Sequence, residues 1–187
     1  MRKFVIVATL SFFLVSCERN YIKNLQIEGI SLGDSALDFF DENQIKDNEW
    51  DYYKNKYYTP VQLERMPFFK TYDAVDFSYK TGDGNYKIHD LTGVIYFDNI
   101  SLCYKKMDEL YEDFQSILLG ASISEKLIRH DPSGVGDKKT FYEFNYGDFL
   151  VHLSCYDYVD EIDILAVEIR TKDFDKWILE EAYFEVS

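Results

Sequence analysis

The sequence predicts an α+β domain, an antiparallel sheet of about five strands with helices packed mainly on one face. Three observations predict it. Two segments alternate apolar and polar residues on either side of tight-turn residues, as β-hairpins do. Between them lies a long stretch with apolar residues every three or four positions. A second stretch of that kind follows the last strand. Hairpin groups separated by helices suit helices layered on an antiparallel sheet better than alternating βαβ units.

The elements follow in order. Asn20 to Ile27 reads as a tether or first strand. Gly29-Ile30-Ser31-Leu32-Gly33-Asp34 opens a short helix, which Asp34 caps and in which Leu37 and Phe40 share a face. The run DNEWDYYKNKYYT (47–59) is polar, tyrosine-rich and aperiodic, and Pro60 and Pro67 bracket further irregular chain. Ala74 to Lys80 sets Val75, Phe77 and Tyr79 against Asp76 and Ser78, a half-buried strand. Thr81 to Asn85 is the turn, and Tyr86 to Phe97 returns with a bulge expected near Gly93.

Asn99 to Leu119 is a helix whose stripe runs through Ile100, Cys103, Met107, Leu110 and Phe114, with Asp98 or Asn99 as cap and Gly120 as stop. His130 to Lys139 reads as a loop. Tyr146-Gly147-Asp148-Phe149 suits a two-residue hairpin turn. It would pair Tyr146 with Phe149, Phe144 with Val151 and Tyr142 with Leu153, all on one face. Glu143, Asn145, His152 and Ser154 take the other face, where His152 is expected to be solvated. Ile162 to Thr171 is a third strand, and the helix after it turns Phe174, Trp177 and Ile178 inward.

The N-terminus reads as an export signal. Met1-Arg2-Lys3 is positive, and the twelve residues from Phe4 to Val15 carry no charge. A permanent membrane span needs roughly 20 apolar residues, so this run is short for one. Leu14-Val15-Ser16-Cys17 resembles the lipobox of bacterial lipoproteins. That resemblance implies a signal peptide over 1–16, acyl chains such as palmitate on Cys17, and a tether over 17–28 ahead of a single domain over 29–187. It also implies a cell-envelope location with the membrane as a lipid-held partner. Glu18 after the cysteine implies the outer membrane, facing the periplasm, under the enterobacterial sorting rule.

Composition excludes some functions. Hydrophobic residues make up 47% of the chain, enough for a core, and 16 Tyr and 15 Phe argue against disorder. The net charge is −14, and losing Arg2 and Lys3 with the signal leaves 18 basic residues against 34 acids, or −16. Such a surface repels nucleic acid and anionic lipid headgroups.

With Cys17 lipidated, Cys103 and Cys155 remain. Cys103 lies on the apolar stripe of the long helix, and Cys155 continues the core face of Phe149, Val151 and Leu153. If that helix packs on that sheet the thiols meet, and an exported location favours their oxidation. Otherwise they are two buried free thiols.

Candidate chemistry is sparse. Leu32-Gly33-Asp34-Ser35 resembles the first block of the GDSL, or SGNH, esterases, which implies Ser35 as nucleophile. Such a serine needs a histidine base oriented by an acid. Three positions before His89, His130 and His152 stand Tyr86, Leu127 and Phe149, so the family's Asp-x-x-His is missing. A helix start accounts for Asp34-Ser35 more simply. The histidines lack metal-ligand spacing, and 131–137 (DPSGVGD) lacks the ligand series of a calcium loop. No metal, cofactor or catalytic residue is therefore expected. Trp50, Tyr52, Tyr53, Tyr57 and Tyr58 form an aromatic cluster that either stacks on a glycan or peptide ligand or covers the sheet edge.

Ile27-Glu28-Gly29-Ile30-Ser31-Leu32-Gly33-Asp34-Ser35, Phe68-Phe69-Lys70-Thr71-Tyr72-Asp73 and Cys103-Tyr104-Lys105-Lys106-Met107 are similar to a group of uncharacterised bacterial proteins with a GIxLGDS opening. The Gly-Ile-x-Leu-Gly opening also resembles small envelope-assembly lipoproteins of the SmpA/OmlA kind. Neither resemblance implies an activity. The expectation is a non-enzymatic, lipid-anchored envelope module that binds another envelope protein or a ligand.

Overall fold

The computed structural model describes residues 25–130, 138–159 and 161–184. The lipobox with Cys17 and residues 131–137 of the expected loop lie outside them. Among the described residues eight strands form one antiparallel sheet. They are β1 (Tyr58–Glu64), β2 (Ala74–Lys80), β3 (Ile88–Phe97), β4 (Ser122–Ile123), β5 (Leu127–His130), β6 (Lys138–Tyr146), β7 (Phe149–Asp157) and β8 (Asp163–Thr171). Three α-helices among the described residues, α1 (Glu42–Asp47), α2 (Ile100–Ile117) and α3 (Lys172–Glu180), join a 3-10 turn at Ala36–Asp38.

The α+β class holds, but the count of about five strands is corrected to eight. β1 hides because Pro60 stands inside it, which is tolerated on the outer strand of a sheet. β4 and β5 have two and four residues, too few to show a period, and both pair with β6. The strand order is β1-β2-β3-β8-β7-β6-β4. The last strand in the chain thus sits in the middle and joins two hairpins.

The β6–β7 hairpin has the register expected from its turn, with Tyr146 opposite Phe149, Phe144 opposite Val151 and Tyr142 opposite Leu153. Gly147 has φ +51°, the left-handed conformation this turn demands at its first central position. The bulge expected at Gly93 lies elsewhere. The register slips between Ser78 and Tyr79, where His89 is the extra residue. Gly93 makes room for Tyr72 instead, because a Cβ there would stand 2.5 Å from that ring.

One face of the sheet is apolar. Val61, Phe77, Leu91, Val167, Leu153 and Phe144 are buried on it, each contributing roughly 1.5–3 kcal/mol. Asn99 caps α2 by accepting the Ser101 N–H at 2.8 Å, and Gly120 beyond its end has φ +89°. Cys103 and Met107 of α2 are fully buried against this face. Cys103 and Cys155 form a disulfide across a Cα separation of 6.0 Å.

The N-terminal segment packs on the same face. Leu25 and Ile27, within the stretch expected to be tether, are buried in the core. Ser35 caps the 3-10 turn in place of Asp34, whose carboxylate accepts the Ser31 N–H at 2.9 Å. Phe40 stacks on Phe77, and a capping box of Asp41 and Gln44 starts α1.

α3 lies across the sheet. Phe174 and Trp177 pack with Tyr53 and Tyr58 in a second cluster, on the face opposite Val61. Thr171 caps the helix by accepting the Phe174 N–H. The second face is therefore partly roofed.

Candidate functional site

Along a strand, alternate residues share a face, so cross-strand partners form rows. On the second face one row runs Gln62, Asp76, Thr92, Glu168, His152, Glu143 across six strands. The next row places Ser78, Asp90 and Arg170 side by side. A row further along aligns Tyr156, Lys139 and Arg129. Every strand but β4 supplies its polar residue from the position that faces away from the core.

All of these residues except His152 and Glu143 line a cleft of about 460 Å³, within the range of small-molecule sites. One wall is aromatic. Trp50 and Tyr52 lie with ring centroids 4.7 Å apart, and Tyr183 meets Tyr53 edge-on at 5.9 Å. Ile178 and Leu179 of α3 extend that wall, and Tyr156 and Tyr158 stand opposite.

The floor is an ionic network. Arg170 contacts Glu168 with Nη2, Asp90 with Nε at 3.3 Å and Asp175 of α3 with Nη1 at 3.4 Å. Lys139 Nζ meets Glu168 at 3.1 Å, and the Tyr156 hydroxyl donates to the same carboxylate at 2.9 Å. His152 sits between Glu143 at 3.1 Å and Glu168 at 3.6 Å. Its expected solvation is corrected: it is 8% exposed, because the chain covers the second face as well as the first.

Burial and charge set the protonation states. Burial opposes ionisation of Glu168, but Arg170, Lys139 and His152 outweigh it and hold the carboxyl well below the usual range. Burial likewise opposes the charge on Arg170, and Glu168 and Asp90 overcome it. Lys139 is pushed down by burial despite Glu168. Burial lowers His152, but its contacts with Glu143 and Glu168 raise it above the ordinary value. Asp90 rises to about 6 because burial exceeds the help of Arg170.

Asp76 is different. Burial and then the neighbouring Asp90 push it up to about 7, with only the Gln62 side chain pulling the other way. Its Oδ1 is buried without a hydrogen-bond partner, and no cation pairs with it, among the described residues. Perturbed groups gathered in a concave site mark a functional candidate.

The five residues of the aromatic cluster divide. Trp50, Tyr52 and Tyr53 line the cleft. Tyr58 is buried against Phe174 and Trp177 behind it, and Tyr57 is half exposed beside a separate shallow hollow with Lys80. Ser35 donates its hydroxyl to the Asn85 carbonyl at 2.7 Å and accepts the Leu37 N–H. Among the described residues no three His, Cys, Asp or Glu side chains converge as a metal site requires.

The polar floor is the part that sequence reasoning missed. Alternation shows which residues avoid the core, but not whether they meet water or a roofed cleft. One signal was present. Glu168 and Arg170 are opposite charges two positions apart on one strand face, and Leu150 is apolar at an outward position of β7. Compared with protein-family models, characterised protein sequences and solved structures, the chain matches none.

Proposed function

We propose that this chain is a lipid-anchored cell-envelope protein acting as a non-enzymatic binding module, with a glycan or peptide ligand taken up in the cleft of the second sheet face. The carrying observation is the pairing of an aromatic wall with a polar floor whose Asp76 keeps an unused acceptor. Aromatic faces cover the apolar side of a sugar or side chain, while fixed polar groups set its orientation. The Arg170 network supports this role because it ties the floor to α3 and so preorganises both sides of the cleft. The lipobox around Cys17 supports the anchor.

Titrating the full-length protein in detergent with cell-wall sugars and peptides tests the cleft, read by intrinsic fluorescence with Trp50 at the rim. A saturable change that Trp50→Ala and Tyr52→Ala each weaken is expected. Saturation unaltered by both variants would place the ligand elsewhere. For the anchor, Cys17→Ala should shift the protein from the membrane fraction to the soluble one. Unchanged membrane association of that variant would refute lipidation at Cys17.

A further inference from the structure

Resting on the binding reading above, we infer that the group recognised at the bottom of the cleft is a protonated amine, held by Asp76 beneath the Trp50–Tyr52–Tyr53 wall. The neighbours of Asp76 carry the argument. Asp90, Glu64 and Glu168 all act on it with the same negative sign, and Gln62 is its neutral partner. The basic groups of the cleft are committed elsewhere. Arg170 is divided among Asp90, Glu168 and Asp175, Lys139 is held by Glu168, and Arg129 lies over the Phe141 ring. Asp76 is thus a partly buried carboxyl on the cleft lining whose Oδ1 lacks a hydrogen-bond partner, and no cation is ion-paired with it among the described residues.

An ammonium group supplies what is missing. Its N–H donates to the Asp76 carboxylate where that side chain lines the cleft, and its charge offsets the local acid excess. Aromatic ring faces attract a cation within about 6 Å, which suits the wall above. A bound metal ion would need several converging ligands, which the described residues do not provide. The overall charge of −14 further favours the approach of cations. A neutral ligand would leave Asp76 either protonated or uncompensated.

A panel of paired probes tests this with the full-length protein: a lysine side-chain amine against its Nε-acetylated form, and glucosamine against N-acetylglucosamine. Binding of either amine at least about tenfold tighter than its acetylated partner is expected, and which pair responds distinguishes a peptide from an amino-sugar source. Asp76→Asn should remove that preference while keeping a cooperative thermal unfolding transition at or above the wild-type temperature, which shows that the variant is folded. For a lysine amine, which stays protonated to about pH 10, affinity should fall about tenfold between pH 8 and pH 6 as Asp76 takes up its proton. Acetylated probes binding as well as the amines, with Asp76→Asn neutral, would overturn the amine but leave the cleft reading standing. No binding by any probe, amine or acetylated, would overturn both.

Discussion

Asp76→Asn should make the protein more stable at alkaline pH while removing its preference for amines. The carboxyl moves from an ordinary 3.8 to about 7 on folding. Each pH unit of that displacement corresponds to about 1.4 kcal/mol, so full ionisation of Asp76 costs the native state up to about 4 kcal/mol. Its folded value lies above its unfolded one. Between about pH 4 and pH 7 the native state keeps the proton that the unfolded chain has released, so stability falls as pH rises through that window. Above the folded value the loss is complete. Asn has the same shape, carries no charge and can still hydrogen-bond to Gln62. Because the side chain borders cleft water, a gain of about 2–4 kcal/mol is expected at pH 8, shrinking toward zero near pH 4. Urea unfolding of both proteins across that range measures it, since the difference between them isolates Asp76 from Asp90 and His152. A difference that does not vary with pH, or a wild type more stable than the variant at pH 8, would refute the assignment of a buried, uncompensated carboxyl.

Other perturbations follow from the same geometry. Arg170→Met strands Asp90 and Glu168 together in a buried site and should cost about 3–5 kcal/mol in the same urea assay. Replacing both Cys103 and Cys155 by Ala opens a loop of 52 positions, and calorimetry should show a loss of about 4 kcal/mol, or roughly 10 °C in Tm. Wild-type protein under reductant should show a comparable drop. Gly93→Ala drives a methyl group into Tyr72 and should cost about 1–3 kcal/mol. That penalty should largely vanish in a Tyr72→Ala background, and an equal penalty in both backgrounds would refute the contact.

What was legible in the sequence is what period and turn chemistry determine locally. The β6–β7 register followed from Gly147 and six apolar side chains, and the ends of β2 from its alternation. The meeting of Cys103 with Cys155 required only that one apolar stripe face one apolar sheet. β1 was not legible because its membership in the sheet comes from pairing with β2, not from its own pattern, and Pro60 argued against it. The site was legible only in outline. Trp50, Tyr52 and Tyr53 stood out as aromatic, but their partners come from β2, β3, β6, β7 and β8, brought together by register alone. His152 was misplaced for the same reason, since a polar residue facing away from one core can still be enclosed by its cross-strand neighbours, here Glu143, Glu168 and the Phe141 ring.

The central place of β8 has a consequence for how the molecule comes into being. The hairpins β2–β3 and β6–β7 can each close while the chain is still emerging, yet nothing joins them edge to edge until the final strand arrives between them. That same strand carries Glu168 and Arg170, and α3 follows at once to roof the cleft. Synthesis therefore delivers the keystone and the floor of the cleft in one step. A chain halted before Asp163 would hold two separate half-sheets, each with an open edge, and no cleft at all.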